Sequence, residues 1–520
     1  MASKRKTNPD DFGTRIATAY AADGVALQLG RGVLGGQTDQ EAVVQIPAAM
    51  LNRHGLIAGA TGTGKTKTLQ LMAEQLSAIG VPVFAADIKG DLSGITKPGE
   101  VSDRVTSRSE DLGVEWTARG SEATFFALGG IGAGVPVRAS VTSFGPQLLA
   151  KVLGANDTQA ASLALVFRYA DEQGLALLDL DDLREVLKFL DSDDGKAELK
   201  EIGGVSTATI GVLLRSILQL EEQGAGDFFG EPELDVADLL RVDAEGRGII
   251  NCLELAAVQD KPKLFSTFLM WLLAELFQEL PEVGDLEKPK LVFFFDEAHL
   301  LFADASKEFL DSVAQTVRLI RSKGVGVFFV TQLPDDVPDN VLAQLGNRIQ
   351  HALRAFTPRD AKALKAAVTT YPKTDDYDLE EDLTQLGTGE AMVTILSERG
   401  APTPVVWTKL LAPESLMAAI PEPELRAAAE RSDLWSKYAE EVDRESAREK
   451  LAGRLAESAA AEAPDEEEAE ARRKAPPAQP KRSSAKKDEN PVTGFLKSRE
   501  GRQMANQVVR GVFSLLKKRR

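Results

Sequence analysis

The chain has 520 residues, 43% of them hydrophobic and 27% charged, so most of it can bury a core, and wholesale disorder or a collagen-like repeat is excluded. Its 61 basic and 79 acidic residues leave a net charge of −18, which confines any nucleic-acid contact to a local patch. A single cysteine, Cys252, excludes an internal disulfide, and with only three histidines the chain argues against tetrahedral zinc, so metal chemistry should use oxygen donors.

The start, MASKRKTNPDD, lacks the apolar stretch of a secretory signal. The most apolar uncharged run, Leu264–Ala274, is far shorter than the roughly 20 residues of a membrane span and reads as a buried helix. The lone cysteine and the missing signal stretch predict a cytoplasmic protein. Residues 1–50 read as a small β-rich segment, with alternating stretches at Ile16–Tyr20 and Val25–Leu29 between glycine-containing turns. From Arg53 to Ile88 the pattern is strand (Gly55–Gly59), glycine loop, helix (Lys65–Ile79) and strand (Val81–Ala86), a βαβ unit opening the first part of a core over residues 51–145. Helical periodicity over 146–228, clearest at Pro146–Leu153 and Asp157–Gln173, predicts a helical insertion. The second part of the core, 229–412, holds apolar strands at Gly248–Leu253, Lys290–Phe295 and Gly326–Val330, each beside a helical stretch. This alternation predicts an α/β fold whose mostly parallel sheet is covered on both faces. Beyond it lie a helical extension (413–460), a disordered linker rich in charge, proline and serine (461–490) and a basic tail (491–520). From Val492 to Arg520 eight basic residues face the single acid Glu500, a net +7 on a segment with an apolar face. That tail reads either as a basic amphipathic anchor for a membrane or protein partner or as a solvated helix packed on a neighbour.

The segment Gly59-Ala60-Thr61-Gly62-Thr63-Gly64-Lys65-Thr66, followed by Lys67, fits the phosphate-binding pattern G-x-x-x-x-G-K-[ST]. Its glycines let backbone N–H groups close on phosphates at a helix N-terminus. Lys65 would neutralise the β and γ phosphates of ATP, and Thr66 would offer its hydroxyl to Mg2+. The apolar strand before Asp296-Glu297 ends in two adjacent acids, and desolvated charge at such a place needs a reason. Asp296 would hold Mg2+ and Glu297 would act as general base on water; a plain helix N-cap is the alternative, weakened by the glycine loop. Gln332, at the end of the strand Gly326–Val330, would bond to the γ-phosphate or its water, with a simple turn as the rival. A helix over Ser306–Lys323 ends with Arg318 and Arg321, either as dipole partners or with Arg321 reaching a neighbouring subunit's γ-phosphate. Weaker candidates are Arg53-His54, as a trans contact or a surface pair, and Asp87-Ile-Lys89-Gly90-Asp91, as metal support or a tight turn. Arg348 and Arg354, around a strand Ile349–Leu353, would face an interface or nucleic acid, and Cys252 reads as core.

Taken in order, GATGTGKTKT, ADIKGDLSG, FFFDEAHLLF, IRSKGVG and FVTQLPDDVP resemble the bacterial HerA-like ATPases, of the HerA/FtsK group of P-loop motor proteins, over about residues 10–412. The resemblance implies a P-loop NTPase fold of the RecA/FtsK-like additional-strand type, a hexameric ring with ATP at subunit interfaces, and DNA translocation or helicase activity. Carried onto this sequence it implies Lys65 and Thr66 for nucleotide and Mg2+, Asp296 for Mg2+, Glu297 as base, Gln332 as sensor and Arg321 as finger. The charge of −18 and the basic tail keep a second expectation in play, a nucleotide-switched oligomeric scaffold that recruits protein or membrane partners.

Overall fold

The sheet on which this chain is built has strands β1 (Ala26–Leu34), β2 (Gln37–Pro47), β3 (Gly55–Ala58), β4 (Val83–Asp87), β5 (Ala123–Leu128), β6 (Val135–Val137), β7 (Ile250–Glu254), β8 (Leu291–Phe295), β9 (Val325–Thr331), β10 (Asn347–Gln350), β11 (Glu390–Thr394) and β12 (Val406–Leu410). They come from a computed structural model that describes residues 9–200, 203–302, 307–442 and 444–462. The chain divides into two units, Met1–Leu455 and Ala456–Arg520, and the sheet and the site belong to the first. The linker expected over 461–490 and the tail over 491–520 lie outside the described residues, apart from the last two residues of the helix Ala447–Glu462.

All twelve strands form one sheet in the order β2-β1-β12-β11-β10-β3-β9-β8-β4-β7-β5-β6. From β10 to β6 neighbours run parallel, and from β10 through β11, β12 and β1 to β2 they run antiparallel. β9 lies between β3 and β8, the inserted strand of the additional-strand class. The central parallel strands β3, β9, β8, β4 and β7 are buried along their whole length because helices cover both faces. Their side chains alternate with period two between two cores: Phe293 and Phe295 join one, Val292 and Phe294 the other. The helix Lys65–Ala78 covers the second face with Leu69, Met72, Ala73 and Leu76. The helix Pro262–Glu279, where a buried apolar helix was expected, covers the first with Phe268, Leu272 and Leu276.

The N-terminal region departs from expectation. Ile16–Tyr20 is not a strand; Ile16 lies in an α-helix, Pro9–Ala19, and Tyr20 directly follows it. Phe12, Ile16 and Tyr20 are all buried, and their spacing of four residues puts them on one helical face, which a five-residue window reads as alternation. The β1–β2 hairpin does form, turning through Gly35 and Gly36 at φ 59° and 80°, the left-handed pair a two-residue turn requires. It extends the main sheet through β1 and β12, where Gly30 faces Leu410. Helices occupy Val141–Val152, Asp157–Glu172, Leu180–Asp191, Asp193–Lys200 and Thr207–Glu222, most of them within the stretch 146–228 that its periodicity predicts to be helical. The strand expected at Ile349–Leu353 ends instead at Gln350, since beyond it the chain turns to the glycine loop, where Ala352 O accepts from Ala60 N at 2.8 Å.

Candidate functional site

Parallel pairing brings the carboxyl ends of β3, β9 and β8 to one edge of the sheet, with Ala58 opposite Thr331 and Phe295 opposite Phe329. The glycine loop emerges from β3 here. Gly59 N donates to Thr331 O at 3.2 Å, and Gly59, Gly62 and Gly64 adopt φ of 154°, 78° and 112°. A Cβ on Gly59 would stand 2.5 Å from His351 Cβ, so only glycine fits. The loop feeds directly into the helix Lys65–Ala78, leaving that helix's first N–H groups at the sheet edge. Lys65 is buried and folds back on the loop, its ammonium donating to the carbonyls of Gly59 at 2.7 Å and Ala60 at 3.2 Å. Burial lowers its pKa, opposed by the nearby charges of Glu297 and Asp296. Thr63 Oγ1 donates to Ala60 O at 2.7 Å, Thr66 is half-buried on the first helical turn, Lys67 Nζ donates to Gln70 Oε1 at 3.1 Å, and Thr61 is exposed.

Asp296 follows β8 and is 2% exposed. Its Oδ1 accepts from Glu297 N at 2.8 Å, while Oδ2 has no hydrogen-bond partner among the described residues. Burial, and then the Glu297 charge, push its pKa up to about 7. Glu297 takes φ 47°, and its carboxylate forms an ion pair with Lys89; His299 Nδ1 lies 3.2 Å from its other oxygen. Burial would raise the Glu297 pKa, but the hydrogen bond and charge of Lys89 outweigh it and hold the carboxyl below its ordinary value. The segment Asp87–Asp91 is both a turn and part of this edge. Asp87 accepts from the N–H groups of Lys89 (3.1 Å), Gly90 (2.8 Å) and Leu92 (2.8 Å), while Lys89 reaches Glu297.

Other candidates fall elsewhere. Gln332 is exposed just past β9, beside the start of the glycine loop. The helix expected over Ser306–Lys323 occupies Lys307–Ile320, and Arg318 and Arg321 are exposed at its end. The turn Arg321–Lys323 precedes β9, so Arg321 sits at the edge opposite the loop of its own chain. Arg53 pairs loosely with Asp285 at 3.7 Å, but His54 is no surface residue: it is buried at φ 58°, its Nδ1 accepting from Val327 N at 3.1 Å. Arg348 Nη1 donates to Thr370 Oγ1 at 2.5 Å, Arg354 is exposed, and Cys252 is core.

Sequence reasoning missed two supports of the loop. Buried His351 holds Thr68 Oγ1 at 2.9 Å from Nε2, and burial pushes its pKa down to about 3. Arg108 donates to the carbonyls of Thr388 (2.8 Å), Gly389 (3.1 Å) and Leu410 (2.8 Å), and Gly389 N donates in turn to Thr63 O at 2.9 Å. No local signal marks either residue, because their partners lie far along the chain.

The sequence pattern of the family "Helicase HerA-like C-terminal" matches residues 33–520. The chain belongs to the HerA-like helicase family. A probable helicase of Methanocaldococcus jannaschii, MJECL08, is 34% identical to this HerA-like protein over 154 residues, 28% of either chain. The match therefore spans little more than a quarter of that relative's length. Among solved structures, the bacterial conjugative coupling protein TrwBdeltaN70 in its unbound monoclinic form superposes with a TM-score of 0.53 at 16% identity, over 79% of this chain and 94% of that one. The plasmid coupling protein TrwB in complex with the ATP analogue ADPNP gives 0.50 at 16% identity, over 77% of this chain and 98% of that one. At such identity the likeness shows the P-loop NTPase fold. No helix among the described residues is long and apolar enough to cross a membrane.

Proposed function

We propose that this HerA-like protein is a cytoplasmic, Mg2+-dependent ATPase that assembles into a hexameric ring and couples hydrolysis to movement on DNA. The observation that carries the reading is that the glycine loop with Lys65 leaves β3 at the same sheet edge where β8 ends in Asp296 and Glu297, with β9 between the two strands. TrwB, with the same fold, has been solved with an ATP analogue, which supports ATP as the ligand of the glycine loop. The loop's N–H groups and Lys65 bind the phosphates, and the unpartnered Asp296 Oδ2 together with Thr66 suits Mg2+, which supplies charge neutralisation of the phosphates when bound. Glu297, kept ionised by Lys89, takes the proton of a water whose oxygen bonds to the γ-phosphorus as the bond to ADP breaks. Gln332 orients that water, and Arg321, at the far edge of its own subunit, serves only a neighbour's site.

ATPase rate measured with and without DNA across a salt series tests the coupling. Stimulation by DNA that falls steeply with salt is expected. Unstimulated slow hydrolysis would favour the second reading, a nucleotide-switched scaffold, which the net charge of −18 supports. Release from membranes on deleting residues 491–520 would then identify the tail as its anchor.

A further inference from the structure

A group of carboxylates larger than the two proposed metal ligands, Thr66 and Asp296, requires lies beside Asp296. Ligand oxygens of Asp87, Asp91 and Asp296 all lie within 4.8 Å of one another. Glu254 ends β7 in register with Asp87 on the neighbouring strand β4, and the turn after Asp87 passes close, since a Cβ on Gly90 would be 3.7 Å from Glu254 Oε2. Four acids from three chain segments thus converge at one sheet edge. Glu254 is 8% exposed and Asp296 2%, and each carries a buried oxygen, Oε1 and Oδ2, without a hydrogen-bond partner among the described residues; Asp91 Oδ1 is a third. Such groups are costly unless something meets them.

The charges of Lys67 and Lys89 reach Asp91, but among the described residues neither lysine forms an ion pair with the group. The Lys67 ammonium donates to Gln70 Oε1 at 3.1 Å, and that of Lys89 pairs with Glu297. Among the described residues no ion pair neutralises Asp87, Asp91 or Glu254. An all-carboxylate donor set without histidine or cysteine selects hard divalent cations, Mg2+, Mn2+ or Ca2+. Such ions hold oxygens at about 2.0–2.6 Å, so ligands across one ion stand about 4–5 Å apart, the span of this group.

The geometry points to a divalent-cation site of Asp87, Asp91 and Asp296, backed by Glu254, that fills before and without nucleotide. It deepens the ATPase reading by sharing Asp296 with it, yet needs no phosphate. Placed so, the ion screens the carboxylates that a triphosphate would otherwise meet on entering the loop.

The test titrates Mn2+ into the EDTA-stripped full-length protein without nucleotide, followed by electron paramagnetic resonance. One tightly held ion per chain is expected. Asp91→Asn, in a half-exposed turn, and the isosteric Glu254→Gln should each weaken it about 10–100-fold. Lys65→Ala should lose ATP binding and keep Mn2+. Mn2+ held only when ADPNP is added would overturn the site while leaving the ATPase reading intact, and so would unchanged affinity in both acid variants. Failure of the wild-type protein to bind ADPNP would sink the ATPase reading alone.

Discussion

Arg108→Ala removes the clamp that backs the glycine loop. Its guanidinium makes three hydrogen bonds to carbonyls, of Thr388, Gly389 and Leu410, at 2.8–3.1 Å. Hydrogen bonds from a charged donor contribute about 1.5–3 kcal/mol each when buried, but Arg108 is half-exposed and water can reach part of what it leaves, so the net loss should be about 2–3 kcal/mol. The turn it holds is left-handed at Gly389, φ 76°, and that residue's N–H supports Thr63 O at 2.9 Å, inside the loop. If about 1 kcal/mol of this support is lost from the loop, the Kd for ATP rises about fivefold. Urea unfolding gives the first quantity and titration with a fluorescent ATP analogue the second. Arg108→Lys should recover only part of either, since an ammonium cannot reproduce the planar fork. Wild-type stability together with wild-type affinity in Arg108→Ala would refute the reasoning.

Stability should fall on acidification below neutrality through two histidines. Burial lowers His54 to about 4 and His351 to about 3, against about 6.5 in the unfolded chain. The unfolded chain therefore binds protons the native state refuses, and stability present above pH 6.5 is lost as pH falls toward 4, by up to ~1.4 kcal/mol per unit for each histidine. His54→Gln or His351→Gln should flatten the slope of unfolding free energy against pH; an unaltered slope would show that neither residue is held neutral. Subunits carrying Arg321→Ala mixed with subunits carrying Glu297→Gln should recover activity at the mixed interfaces, and a strictly additive loss would count against a trans role for Arg321.

What could be read from the sequence was what lies close together along it. The glycine loop and the strand ending in Asp296-Glu297 are continuous stretches whose periodicity and chemistry agree. Lys89 was legible only as half of an open choice between turn and site, because the contact that decides it is with Glu297 on another strand. Arg108, His351 and Glu254 gave no signal at all. Their roles arise from the order in which strands meet, which puts β4 beside β7 and carries β10 past the loop. Ile16–Tyr20 failed for a different reason, since five residues do not separate a period of two from one of 3.6, whereas the run from Phe12 does.

The central claim is that one edge of the sheet holds a triphosphate in the glycine loop and activates water with Glu297. Glu297→Gln keeps the shape and removes the proton acceptor. Measured side by side, the affinity for ATP should stay within about twofold of wild type while kcat drops by about 10²–10⁴. Turnover at the wild-type rate with ATP still bound would contradict the account.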